Sequence, residues 1–217
     1  MTWCTACLAW NQLGAIKKKD DFKVKKEEIY RNKQPEDIIL HMDESGFQLC
    51  GTPKKRLTKK GKQPRLPSSG GKKRVNVVGA VNPFTGWSFF QYIKRFDAVT
   101  FLVYLVCLIA QCPGPGKIYL FLDNSRVHHA KYLRSFLAAN SDKLQLIFLP
   151  PYSPEFNEEI EGLWREVKKK VVYNGYYASY DRFYGTLDGE FDQWRTDPER
   201  VREHCNAAKI LTPCMSA

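Results

Sequence analysis

The chain has 217 residues, 43% of them hydrophobic and 26% charged. That is enough to bury a real core in one globular unit, and it excludes collagenous, low-complexity and wholly disordered classes. Lys and Arg number 34 against 23 Asp and Glu, a formal net charge of +11 that favours polyanionic partners, nucleic acid above all.

Met1 to Trp10 is apolar but lacks a basic leader and a cleavage site, so it does not read as a signal peptide. Cys4 and Cys7 form a CxxC without a second Cys/His pair at zinc spacing. With Cys50, Cys107, Cys112, Cys205 and Cys214 they make an odd, scattered set that reads as reduced intracellular thiols. Residues 17–36 are highly charged and mixed in sign, as in a solvated helix or linker. Ile38, Ile39, Leu40 and Met42 then form a short apolar run that reads as a buried strand ending at Asp43. From Gly51 to Arg74 the composition turns basic. Lys54, Lys55, Arg56, Lys59, Lys60, Lys62, Arg65, Lys72, Lys73 and Arg74 occur among Gly and Pro with no acidic residue, giving a loop suited to backbone phosphates, or otherwise merely solvated.

Val75–Val81 and Trp87–Ile93 are strand candidates separated by Asn82, Pro83, Thr85 and Gly86, which predicts an antiparallel hairpin. Asp97–Cys112 reads as a mostly buried helix stopped by Pro113, Gly114, Pro115 and Gly116, too short to cross a membrane. A soluble chain with no membrane partner is expected. A strand at Ile118–Leu122, a helix over Val127–Asn140, a strand at Leu144–Leu149 and a helix from about Pro154 follow. Strands first in hairpins and then alternating with helices imply an α/β fold with a mixed sheet covered by helices.

Three carboxylates fall at privileged places in this scheme: Asp43 at the end of the first strand, Asp123 at the end of the strand Ile118–Leu122, and Glu161 in the first turns of the helix that follows the last strand. Carboxylates clustered without His or Cys suit hard cations such as Mg²⁺ or Mn²⁺, which in pairs serve in-line phosphoryl displacement. Each residue also has a plainer reading: Asp123 as a helix cap, Glu161 as a solvated glutamate, Asp43 as a turn residue. Phe156, Ile160, Leu163, Trp164, Val167 and Val171 form the buried stripe of the helix that carries Glu161. Asn157, Glu161, Arg165 and Lys168 share the other face, and Glu158 and Glu159 are rival ligands. Phe183, Leu187, Phe191 and Trp194 recur at near-helical spacing and predict packing onto the core rather than stacking on bases.

The strings HMDESGF (41–47), FLDNSRVHHA (121–130) and LPPYSPEFN running into IEGLW (149–164) together resemble the catalytic core of DDE transposases, specifically the IS630 group of the Tc1/mariner superfamily, over roughly residues 10–172. The resemblance implies an RNase H-like fold with a central mixed five-stranded sheet flanked by helices, and a catalytic, metal-holding triad at Asp43, Asp123 and Glu161. It implies Mg²⁺ or Mn²⁺ as cofactor and double-stranded DNA, as transposon ends and target, as partner. A homodimer or a partner transposase chain comes with it, as does cut-and-paste strand transfer with a preference for TA targets. Asn124, His128, Pro151, Tyr152, Ser153, Pro154 and Asn157 also match the family strings, His128 with an alternative reading as a local hydrogen-bonding residue.

There are two departures. The family motif Asn-Pro-Ile-Glu is one residue longer here, Asn157 being followed by Glu158, Glu159, Ile160 and Glu161. The helix-turn-helix region that precedes such domains is represented only by Leu13–Lys19. The expected organisation is a remnant and charged linker at 1–36, the catalytic domain at 37–172 and a helical extension at 173–217. A truncated, inactive DNA-binding remnant and an RNase H-like nuclease on structured or hybrid substrates are the competing readings. The compartment would be the nucleoid-associated cytoplasm in a prokaryote and the nucleus in a eukaryote.

Overall fold

The computed structural model describes residues 5–205 except 56, 58, 62–64, 66, 68–72 and 152, with the side chains of 5–16 and of Pro154 not described. Five strands form one sheet: β1 (Ile38–Gln48), β2 (Arg74–Val81), β3 (Ser88–Ile93), β4 (Ile118–Leu122) and β5 (Leu144–Phe148), in the order β3-β2-β1-β4-β5. β1–β2 and β2–β3 pair antiparallel, and β1–β4 and β4–β5 pair parallel. The helices are α1 (Thr5–Asn32), α2 (Ala98–Gln111), α3 (Leu133–Ala139), α4 (Glu158–Val167), α5 (Tyr180–Thr196) and α6 (Pro198–His204). This is the mixed five-stranded, helix-flanked RNase H-like architecture that the motifs implied.

Alternation along the strands divides the core by face. Leu40, Met42, Val78, Ala80, Leu120 and Leu122 point to one side, where Phe101, Tyr104, Leu105 and Leu108 of α2 cover them. Phe47, Val77 and Phe90 point to the other, against Trp164 of α4 and Phe183, Leu187, Phe191 and Trp194 of α5. Beside them on this second face, Ile39, Phe121 and Ile147 take Phe22 of α1 and Phe156. With both faces covered, the first half of β1 is buried without a break from Ile38 to Met42, and it is apolar there except for His41. The four aromatic and aliphatic residues at helical spacing in α5 are fully buried, as their periodicity predicted.

Several expectations change. β1 does not stop at Asp43; it continues to Gln48 because β2 pairs with it as far as Arg74, while its pairing with β4 ends at His41 and Phe121. The helix expected over Val127–Asn140 is broken into a 3₁₀ turn (Arg126–His129) and α3, because the His128 ring bonds back to the carbonyl of Asp123 at 3.0 Å and turns the chain there. α2 is buried on one face only. Its N-terminus is capped by Asp97, whose carboxylate accepts from the Thr100 amide at 2.9 Å, and Val99, Val103 and Val106 face outward. Nor is the charged segment 17–36 wholly solvated, since α1 buries Phe22 against Phe121 and Phe156, with ring centroids 6.3 and 4.9 Å away.

The hairpin turn follows its sequence signals. Asn82 Oδ1 accepts from the amides of Phe84 and Thr85, and Gly86 supplies the positive φ that closes the loop.

Candidate active site

Parallel pairing of β1 with β4 matches His41 to Phe121. Carried two residues further, that register sets Asp43 beside Asp123 at the point where the strands part, on the face of the sheet that carries α4. α4 starts nearby and brings Glu161, so all three carboxylates line one open cleft of about 540 Å³, together with Asn124, Ser125, Leu149, Pro150, Pro151, Ser153 and Asn157. The sequence placed these three residues at element edges. The fold brings them into one cleft from three separate elements.

Each carboxylate is held differently. Asp43 accepts a hydrogen bond from Trp164 Nε1 at 3.1 Å, and its cross-strand partner is Gly79. A side chain at Gly79 would collide with the Trp164 ring, at 2.6 Å from its far edge, and with Phe90 at 2.9 Å, so this glycine makes the room that lets the indole reach Asp43. Burial, with smaller contributions from Glu161 and Asp123, pushes the Asp43 carboxyl up to about 7. Asp123 goes the other way. The His128 ring, with Nδ1 3.0 Å from its Oδ1, and the Ser125 amide at 3.2 Å hold it below the usual carboxylate range. That amide contact is an Asx turn, a local role that coexists with exposure to the cleft.

Glu161 lies exposed on the cleft side of α4. The rival glutamates differ from it. Glu158 is exposed and does not line the cleft, whereas Glu159 is buried and turned away, its Oε1 accepting from Lys26 Nζ at 2.9 Å. Asn157, expected on the polar face, is buried because its amide donates to the Met42 carbonyl at 3.1 Å.

Two further neighbours of the cleft come from the fold rather than from the motifs. Glu44 follows Asp43 directly, and burial together with Asp43 and Asp123 raises it to about 8; its Oε1 lies 3.7 Å from His128 Nε2. Trp164 has the helical spacing of an ordinary core residue, and only the fold shows its indole N–H aimed at Asp43.

Of the ten basic residues expected to bind DNA, Arg56, Lys62 and Lys72 lie outside the described residues. Lys54, Lys55, Lys59, Lys60, Arg65, Lys73 and Arg74 are all exposed. The stem of this loop is tied to the segment before α5 and to the start of that helix: Thr52 bridges Tyr173, the Lys54 amide donates to Asn174 Oδ1 at 3.0 Å, and Lys73 Nζ lies 4.9 Å from the centre of the Tyr180 ring. Of the CxxC, Cys4 lies outside the described residues and the Cys7 side chain is not described. Among the described residues no helix is long and apolar enough to cross a membrane.

Three carboxylates of like sign facing one cleft, one of them driven toward neutrality by burial and by its neighbours, form a hard-oxygen donor set whose repulsion a divalent cation would relieve. Among the described residues no three His, Cys, Asp or Glu side chains stand ready to hold a metal ion by themselves.

The fold is similar to that of the Mos1 mariner transposase in its paired-end complex with Mn, at a TM-score of 0.66 and 15% identity over 87% of this chain and 57% of that one. It is also similar to the Mos1 transposase paired-end complex with left transposon end (TM-score 0.62, 16% identity, 88% of this chain and 60% of that one). The Mos1 strand transfer complex gives a TM-score of 0.65 at 16% identity, over 87% of this chain and 56% of that one. The chain thus corresponds to 56 to 60% of the length of those transposase chains. No curated protein matches it. A family model for the DDE superfamily endonucleases matches residues 38–184, so the residues lining the cleft fall within the matched span and the chain belongs to the DDE superfamily endonucleases.

Proposed function

We propose that this chain is the catalytic domain of a cut-and-paste DNA transposase that cleaves phosphodiesters and joins the freed 3′ end to target DNA. Its proposed metal-holding residues are Asp43, Asp123 and Glu161, its cofactor Mg²⁺ or Mn²⁺, and its substrate double-stranded DNA at transposon ends and target. The observation that carries the reading is the convergence of these three carboxylates on one open cleft. Membership of the endonuclease family supports it, as does the likeness in fold to Mos1 paired-end and strand transfer complexes.

When bound, divalent cations would activate water or the 3′-hydroxyl and stabilise the leaving oxygen during in-line displacement. The protein's own residues provide the setting. Asp43, kept from full ionisation by burial, would hold such a cation in its ionised form, and the Trp164 indole fixes the direction of its carboxyl group. Asp123 is already ionised and is held by His128 and the Ser125 amide. Glu161 reaches in from α4 with few constraints, which suits a ligand that adjusts between steps. Lys54, Lys55, Lys59, Lys60, Arg65, Lys73 and Arg74 supply charge-assisted contacts to backbone phosphates; Arg56, Lys62 and Lys72 add to the same run in sequence. Assembly as a dimer on paired DNA ends belongs to the same proposal.

A nicking assay with the purified chain, supercoiled DNA and Mg²⁺ or Mn²⁺ tests the reading. Metal-dependent nicks that vanish in Asp123→Asn are expected. A chain that binds DNA but leaves it intact in either metal contradicts the reading and favours a DNA-binding remnant.

A further inference from the structure

α1 reaches the site from outside the sheet. Lys26 Nζ donates to Glu159 Oε1 at 2.9 Å, with both side chains largely withdrawn from water. The Tyr30 hydroxyl meets His41 Nε2 at 3.2 Å. His41 is fully buried and lies parallel to the Phe121 ring, centroids 5.0 Å apart. Its Nδ1 bonds Asn157 Oδ1 at 3.4 Å, which assigns the ring proton there and leaves Nε2 to accept from Tyr30; Glu159 Oε2 lies 3.2 Å from the same nitrogen without a hydrogen bond of its own. Asn157 in turn donates to the Met42 carbonyl.

The ends of this connected set flank the carboxylates of the cleft. His41 and Met42 precede Asp43 on β1, while Asn157 and Glu159 precede Glu161 at the start of α4. Glu159 is only 5% exposed, and the ammonium group that meets it comes from a residue 133 positions away in sequence. We propose that Lys26, Glu159 and His41 form a positioning set through which α1 holds the start of α4 against β1, fixing Glu161 relative to Asp43. The inference rests on the reading of those carboxylates as metal ligands. It makes Glu159 a positioning residue rather than a rival ligand, and it gives the lengthened Asn157-to-Glu161 motif a physical account: the additional acidic side chain is neutralised by α1 instead of entering the cleft. Groups that orient metal ligands from behind are commonly worth about 10- to 100-fold in metal affinity or activity.

The test titrates Mn²⁺ alone into the full chain, with binding followed by electron paramagnetic resonance and folding by thermal melting. Lys26→Met strands a buried carboxylate and can unfold the chain, so the deciding variant is Lys26→Met with Glu159→Gln, which removes both charges. The double variant is expected to melt near the wild type without metal, to bind Mn²⁺ about tenfold more weakly or worse, and to need correspondingly more Mn²⁺ for half-maximal DNA cleavage. Lys26→Arg keeps the charge and is expected to bind as the wild type does. Wild-type Mn²⁺ affinity in a folded double variant overturns the positioning proposal while leaving the carboxylates as ligands. Equal Mn²⁺ binding by the wild type and Asp123→Asn is a separate result, which removes the ligand reading and this proposal with it.

Discussion

At Asp43, burial and two neighbouring carboxylates all oppose ionisation, so its folded carboxyl titrates at about 7 instead of in the ordinary carboxylate range. Between about pH 4 and pH 7 the folded chain therefore holds a proton at Asp43 that the unfolded chain has released. Stability falls as pH rises through that window, and the whole cost is present above it. Asp43→Asn removes the cost while keeping an oxygen for the Trp164 indole. At about pH 8 without metal, the variant is expected to melt a few degrees higher than the wild type, about 1–2 kcal/mol after allowance for partial solvent screening. The gap should close toward about pH 4, and equal melting at both pH values contradicts the account. Trp164→Phe is the complementary change. Losing the N–H removes a bond that favours the ionised carboxylate, so Asp43 should titrate higher and the acid limb of the pH–cleavage profile should move to higher pH. An unmoved limb would show that the indole serves packing alone.

The elements that carry the carboxylates are legible in the sequence because their signals are local. The apolar run before Asp43, the apolar strand before Asp123 and the amphipathic stripe around Glu161 are each short, continuous patterns, and their order matches the family strings. What escapes a sequence reading depends on pairs distant in the chain: Trp164 with Asp43, 121 residues apart, and Lys26 with Glu159, 133 apart. The end of β1 is hidden for a related reason, since whether a strand continues past a polar residue depends on its neighbour, and β2 continues where β4 leaves. The basic loop is plain from composition, but its anchoring through Thr52, Lys54 and Lys73 to Tyr173, Asn174 and Tyr180 is not. The exposed lysines further along the loop carry a prediction of their own. Replacing Lys55, Lys59 and Lys60 with Ala should weaken binding to duplex DNA of any sequence and reduce the slope of log K against log salt by about 0.9 for each phosphate that is no longer neutralised. An unchanged slope would mark the loop as merely solvated.

For the molecule as a whole, the sheet is a frame that sets two acidic residues side by side where parallel strands diverge, with a third delivered by a helix packed on the same face. α5 and α6 share the core that seats Trp164, and α1 shares the core beneath Phe121, so both flanking segments pack against elements that shape the cleft. Such an arrangement concentrates negative charge at one spot on a chain of net charge +11. A cation held there would offset the local repulsion, and the net positive charge of the chain would draw in a polyanion. The most direct measurement is the anomalous scattering of Mn²⁺ in crystals of the chain with duplex DNA. The account predicts Mn²⁺ density in the cleft against Asp43, Asp123 and Glu161, beside a backbone phosphate. Density elsewhere with that cleft empty, or a Glu161 turned to solvent away from the ion, would contradict it.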